Sequence, residues 1–298
     1  MRLRPLPVAA LLLAVPLRAH PGVGIVLDAE GNLFYTDLKQ VWRIAPDGTR
    51  SLAVADVHSH ELCLDGAGHL YGEHLWYEGE RRNRWGHRVW RRSPDGRIET
   101  VLPPTEGFLQ DYSFVRDAAG THYWLDREGG RIRKRLADGR VLDHARIALR
   151  DGRWMTAAAD GTLFLVDATD LLRVDPQGQV AILVKDLQQP RLTNFYRYDR
   201  HALMGLWLDR SGNVYVAGFA DREVKRVDPL GRVSVAARTA PGWGPTGGLF
   251  APDGALWILE GSVTGAVRVR RIAPGGAVRA WPRPGEGVRR SERNEVER

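Results

Sequence analysis

The chain is poor in sulfur and in lysine. Among its 298 residues there is one cysteine, Cys63, and the lysines are confined to Lys39, Lys134, Lys185 and Lys225. A lone cysteine has no intrachain partner, so burial and hydrogen bonding, not a disulfide, must hold the fold. Scarce lysine leaves the formal charge of +7 to arginine. Arg2, Arg4 and Arg18 lie near the N-terminus, and most of the others recur singly at one position of a repeat. They form no stripe, so no nucleic-acid surface is expected. No apolar run is long enough to span a bilayer: the longest extends from Leu6 to Leu17, short of the roughly 20 residues a membrane helix needs. Also missing are a Gly-x-Ser-x-Gly elbow, a phosphate loop and a dinucleotide fingerprint, which sets those three chemistries aside.

What is present begins with an N-terminal leader pattern. Met1-Arg-Leu-Arg4 is basic, the apolar run follows, and Ala19 offers a cleavage point. Residues 1–19 are therefore expected to be a secretory signal peptide, with the mature chain periplasmic or secreted, without a membrane span, and monomeric. At the other end, residues 282–298 are polar and mixed in charge, the composition of a disordered tail. Between them, residues 20–281 have an ordinary globular balance and no break that would divide them into two domains.

That stretch is repetitive. An apolar strand, a turn ending in glycine and an aromatic-rich second strand recur six times, starting at Ile25, Leu62, Phe114, Met155, Leu206 and Leu249. Each is followed by a second motif of the type Val41-Trp-Arg-Ile-Ala-Pro-Asp-Gly48, with counterparts ending at Gly96, Gly139, Gly178, Gly231 and Gly276. Glycine supplies the positive φ of a tight hairpin, proline presets the turn, and aspartate bonds the backbone ahead of it. Each repeat thus reads as four short antiparallel strands. One such sheet cannot bury both faces, whereas six packed in a ring can, so the expected fold is an all-β, six-bladed β-propeller.

The repeats resemble those of NHL-repeat proteins and of the wider regucalcin/gluconolactonase-like (SMP-30-like) superfamily of six-bladed propellers. Asp28-Ala-Glu-Gly-Asn32 and Asp209-Arg-Ser-Gly-Asn213 carry the resemblance best, and it extends over residues 21–281. It implies the fold and leaves activity open among lactonases, lyases, synthases and binding modules. Gluconolactonase-like enzymes hold a cation with a Glu, two Asn and an Asp from different blades. Here Glu61 is the loose counterpart of the Glu, Gly24 stands where that family places it, and Asn194 is the one nearby asparagine. The peptidyl-hydroxyglycine lyase branch binds zinc through histidines, a role that the resemblance offers to His60, His74 and His201.

Because the first strand of each repeat runs toward its Gly turn and the second returns, the Gly turns and Pro-x-Gly turns share one face. The spacing of turn glycines shows that the opposite face is elaborated: Gly31 to Gly68 is 37 residues, Gly68 to Gly120 is 52 and Gly161 to Gly212 is 51. The extra length falls at residues 75–88 and 186–200. Insertions gathered on one face build binding surfaces, so a small molecule or a protein partner is expected there.

One repeat also departs from its siblings at the mouth of its first strand. Where others have Val23-Gly24, Met204-Gly205 or Thr246-Gly247, the second has His60-Glu61. Counting back from its turn sets His60 opposite Glu73, with His74 adjacent and His58 just upstream. His60, Glu61, Glu73 and His74 are candidate ligands for a divalent cation, zinc or calcium, with Glu61 and Glu73 as candidate catalytic carboxylates. The competing reading is a simple His60–Glu73 cross-strand pair, worth about 0.2–1 kcal/mol. Candidate ligand-binding residues are Tyr112, Trp154 and His201 around the channel and Trp76 and Trp85 in the insertion, since aromatic faces stack on planar ligands. Three functions follow as expectations: a small-molecule or partner-binding propeller, a metal-dependent hydrolase or lyase of lactonase type, and a protein-interaction scaffold.

Overall fold

The computed structural model describes residues 21–188, 202–262 and 264–283. The expected signal peptide (1–19), most of the expected tail, and residues 189–200 of the second insertion lie outside these. Every strand belongs to one of six antiparallel sheets arranged as a propeller. Blade 1 comprises β1 (Ile25–Leu27), β2 (Leu33–Thr36), β3 (Val41–Ile44) and β4 (Arg50–Val54). Blade 2 comprises β5 (Leu62–Leu64), β6 (Leu70–Tyr77), β7 (Trp85–Arg92) and β8 (Ile98–Glu106). In blade 3 the regular strands are β9 (His122–Asp126), β10 (Arg131–Arg135) and β11 (Val141–Arg146). Its innermost place is taken by residues 114–116, held by an Arg116–His122 bridge and by the Tyr123 N–H donating to the Val115 carbonyl at 3.1 Å. Blade 4 is β12 (Gly152–Ala157), β13 (Leu163–Asp167), β14 (Asp170–Val174) and β15 (Val180–Val184). Blade 5 is β16 (Leu203–Leu208), β17 (Val214–Gly218), β18 (Glu223–Val227) and β19 (Val233–Arg238). Blade 6 is β20 (Trp243–Phe250), β21 (Leu256–Ser262), β22 (Val267–Ile272) and β23 (Val278–Trp281). In each complete blade the strands lie side by side in chain order, the first nearest the axis.

The turn chemistry is as the motif demands. Asp28 Oδ1 accepts the Asn32 N–H at 2.7 Å, while Gly31 takes φ +83°, which a side chain would oppose. The recurrent arginines have structural partners: Arg43 and Arg226 donate to the Asn32 and Asn213 side-chain oxygens, and Arg50 lies 3.4 Å over the Trp42 ring. The insertion at 75–88 is a longer hairpin. Strands β6 and β7 have eight residues each against four for β2 and β3, and they project beyond the disc on the face away from the tight turns.

Apolar cores lie at all six blade junctions and hold the sheets together. The 6–1 junction buries nine residues, including Tyr35, Trp42, Trp257 and Trp281, whereas the 2–3 junction buries only Cys63, Tyr71, Val89 and Phe114. Among the described residues no strand is exchanged to close the ring: the four strands of blade 6 lie together late in the sequence and those of blade 1 together early in it. Closure rests on side chains: Trp257 and Trp281 of blade 6 share a core with Tyr35, Trp42 and Ile44 of blade 1, and Trp281 Nε1 donates to the Gly48 carbonyl at 2.9 Å.

Near the axis the inner segments almost touch. A Cβ on Gly247 would stand 2.3 Å from the Val23 carbonyl oxygen, on Gly205 2.8 Å from that of Thr246, and on Gly24 2.9 Å from the Leu62 nitrogen. Glycine is required there by space, not by φ. Trp281→Ala is expected to lower unfolding free energy by about 3–5 kcal/mol in denaturant titration, the usual cost of emptying a buried tryptophan site. Gly247→Ala should cost about 1–3 kcal/mol by forcing neighbouring backbones apart. Gly66→Ala, where an added Cβ meets nothing within 4 Å, should stay within about 0.5 kcal/mol of wild type.

Candidate functional site in the central channel

The inner segments of all six blades line a cavity of about 190 Å³ on the axis, open in part to solvent. Blades 1, 5 and 6 contribute mainly Gly24, Gly205, Gly247 and Gly248, which leave it room. Its chemistry comes from the other three: Glu61 from blade 2, Phe114 and Arg116 from blade 3, and Trp154 and Thr156 from blade 4.

A repeated irregularity accompanies two of these side chains. Within β5 the ladder pairs Leu62 with Gly72, a register that, continued, would set His60 against His74. The Leu75 N–H instead donates to the His58 carbonyl at 3.0 Å, so one extra residue is accommodated between Leu62 and His58. The same one-residue shift occurs between Gly152 and Met155, between Leu203 and Leu206, and between Pro245 and Gly247. A bulge re-aims the side chains at its crest. Here the crests carry Glu61 and Trp154 at the channel, with glycine at the equivalent position in blades 5 and 6. The bulge in blade 2 also leaves the His60 carbonyl free to accept the Val23 and Gly24 N–H groups of blade 1, both at 2.8 Å.

The blade 2 cluster forms around that bulge. Glu73 Oε1 accepts the His60 backbone N–H at 3.0 Å and lies 3.2 Å from His60 Nδ1, so the pair expected from the sequence exists. His74 Nδ1 accepts the His58 N–H at 3.1 Å, and the His58 and His60 rings meet edge to face at 4.8 Å. Burial, with the neighbouring His60 charge, holds His58 below the usual imidazole pKa; burial and Arg88 do the same for His74. Glu61 behaves oppositely. Desolvation, reinforced by the charge of Glu73, pushes its carboxyl up to about 8. Cys63, one layer deeper, is driven up to about 12 by burial and is an inert thiol.

Of the four candidate metal ligands only Glu61 lines the cavity. His60 and Glu73 engage each other, and among the described residues no group of three or more His, Cys, Asp or Glu side chains is arranged to hold a metal ion. The donor set therefore does not fit a divalent cation. Trp154, only 8% exposed, is a wall of the channel. Tyr112 does not line the cavity; it packs against Phe114 and His122, with its hydroxyl accepting from Arg116 Nη2 at 3.4 Å. Trp76 lies over Gly86 across its hairpin, and Trp85 packs on Phe108 at 4.0 Å, beside an exposed Tyr77. Both belong to the projecting hairpin and not to the channel. His201, Asn194, Phe195, Tyr196 and Tyr198 lie outside the described residues.

Arg116 was not among the expected site residues. Its signal was available in the aligned repeats: four residues before each turn glycine stand Leu27, Leu64, Ala157, Leu208 and Phe250, and in the third repeat alone a charge.

No protein-family model matches the sequence, and no curated protein does. The fold does have solved counterparts. Virginiamycin B lyase of Staphylococcus aureus superposes with a TM-score of 0.52 at 15% identity, covering 88% of this chain and 84% of that one. A gluconolactonase of Xanthomonas campestris gives 0.55 at 13% identity, over 84% and 85%. An auxiliary nutrient binding protein of Bacteroides thetaiotaomicron gives 0.57 at 9% identity, over 88% and 69%. At such identities the likeness shows the six-bladed propeller fold, which the repeats had led one to expect.

The Glu61 environment has a measurable consequence. A carboxyl whose pKa is raised on folding lets the native state bind more protons than the unfolded one, so its contribution is full below the unfolded pKa and is lost on the way up to about 8. Wild-type stability should fall by a few kcal/mol between pH 5 and 8.5, and Glu61→Gln should flatten this limb in denaturant titrations across that range. An unchanged slope in the variant would show that Glu61 ionises freely.

Proposed function

We propose that the protein is an exported, NHL-like propeller that binds a small organic molecule in its central channel. The observation that carries this is the axial cavity of about 190 Å³ in which Glu61, Arg116 and Trp154, from three different blades, converge. Small-molecule sites are concave, with a few placed polar groups that fix the ligand. Size narrows the choice. A cavity of roughly 150 Å³ takes up benzene, and drug-sized ligands occupy about 300–1,000 Å³, so a compound of roughly six to ten non-hydrogen atoms fits. The leader-like composition of residues 1–19 supports export.

A second reading is a hydrolase or lyase of lactonase type. What favours it is Glu61, the one carboxyl on the cavity wall among the described residues, held mostly protonated at neutral pH and so placed to give a proton. Zinc or calcium would require ligands besides Glu61. Hydrolysis of small lactones that is lost in Glu61→Gln, while binding of the same lactones persists, would favour this reading over simple binding.

The binding reading is tested by thermal-shift screening of a library of small metabolites. A ligand at one hundred times its Kd should stabilise wild type by about 2.7 kcal/mol. Trp154→Ala should abolish the shift. A hit whose stabilisation is the same in Trp154→Ala and Glu61→Gln as in wild type binds elsewhere and removes the basis of the proposal.

A further inference from the structure

The polar groups of the channel are not balanced in charge. Among the described residues, Glu61 and Arg116 are the only ionisable side chains on its wall. Glu61 gains its high pKa from burial and from another carboxylate, with no compensating cation among the described residues. Around neutral pH the wall therefore carries one substantial charge, that of Arg116.

Among the described residues, the surroundings of Arg116 hold no counter-ion. Its guanidinium lies 5.0 Å over the Tyr71 ring, and its one side-chain hydrogen bond is the long contact to the Tyr112 hydroxyl. Its Nε is buried without a hydrogen-bond partner, and among the described residues no carboxylate comes within the 4.0 Å of an ion pair. The acids nearby are engaged elsewhere. Asp117 accepts the Ala119 and Thr121 N–H groups and the Tyr123 hydroxyl, and Asp65 accepts from Tyr71 and His69. His122, on the paired strand, is held down to about 4 by burial and by Arg116 and Arg135, so it is neutral. Other arginines with buried acidic neighbours are paired: Arg268 and Arg270 meet Glu260, and Arg238 meets Glu223.

A half-buried charge without a partner costs free energy, and five sibling repeats avoid it with apolar residues at the same position. The cost is recovered when a ligand supplies the missing charge, and arginine holds a carboxylate through paired hydrogen bonds. Trp154 supplies an aromatic wall, and the glycines of blades 1, 5 and 6 leave space for a flat body.

We propose that the channel ligand is a small organic carboxylate whose anionic group is received by Arg116 while its body lies against Trp154. The proposal rests on the channel being the binding site and adds the chemical class of what it takes.

The test uses matched pairs on the full chain by isothermal titration calorimetry at pH 7: benzoate against benzamide, and cyclohexanecarboxylate against its amide. Wild type should bind at least one acid tenfold or more tighter than its amide. Arg116→Gln should lose that preference while keeping the amide affinity, and Arg116→Lys, which keeps the charge, should retain part of it. Trp154→Ala should weaken acid and amide alike. If acid and amide bind equally to wild type, or if Arg116→Gln leaves the acid unaffected, the carboxylate assignment is wrong and the channel site stands. If all four probes fail to bind, or bind Trp154→Ala as well as wild type, the channel reading itself fails. The acid–amide comparison on wild type requires no variant, so it decides even where Arg116→Gln does not fold.

Discussion

Everything in this molecule depends on how closely six inner segments can approach one axis. The sheets have no means of burying both faces except against one another, and the blade junctions pack only if the inner segments come nearly into backbone contact. Gly24, Gly205 and Gly247 permit that on one side of the ring, where an added methyl group would run into a neighbouring main chain. On the other side Glu61, Arg116 and Trp154 occupy the space that the glycines leave. The channel is thus not a hole left over from the architecture. It is the point where the demand for close packing is met by small residues in half the ring and relaxed in the other half.

The same asymmetry appears in the blade junctions. The closing junction between blades 6 and 1 is among the richest in buried aromatics, as it must be when no strand crosses it. The junction between blades 2 and 3 is the poorest in apolar groups, and around it lie Arg116, Tyr112, His122 and the thiol of Cys63. Blade 3 has the least regular inner segment as well. Polar chemistry gathers where packing is weakest, which is the arrangement expected when a site is maintained at some cost to stability.

The repeat count, the turn geometry and the face carrying the 75–88 insertion were legible in the sequence, because each follows from local chemistry repeated six times. The His60–Glu73 contact was legible for a less simple reason. Continued regularly, the β5–β6 ladder would have set His60 against His74, and a bulge restores the pairing with Glu73. That bulge is invisible in a single repeat, since the His60 carbonyl is drawn toward the N–H groups of another blade. Trp154 lines the channel. Tyr112, one position further from its turn, faces the blade junction instead. Arg116 is a lone charge with no neighbouring cluster in the sequence to mark it, and only comparison across the repeats sets it apart.

Fold likeness to a lyase, a gluconolactonase and a nutrient-binding protein shows the propeller and no function, so the site must decide. Its features are an axial cavity open in part to solvent, a carboxyl whose pKa is raised by desolvation and, among the described residues, an arginine without a counter-ion. They stand or fall with the dryness of the channel. The most direct measurement is a ¹³C NMR titration of the glutamate side-chain carboxyls, with the Glu61 resonance assigned through Glu61→Gln. A midpoint near 8 is the predicted result. A midpoint in the usual range of about 4–5 would mean that water reaches Glu61 freely, contradicting the desolvated carboxyl on which the account is built.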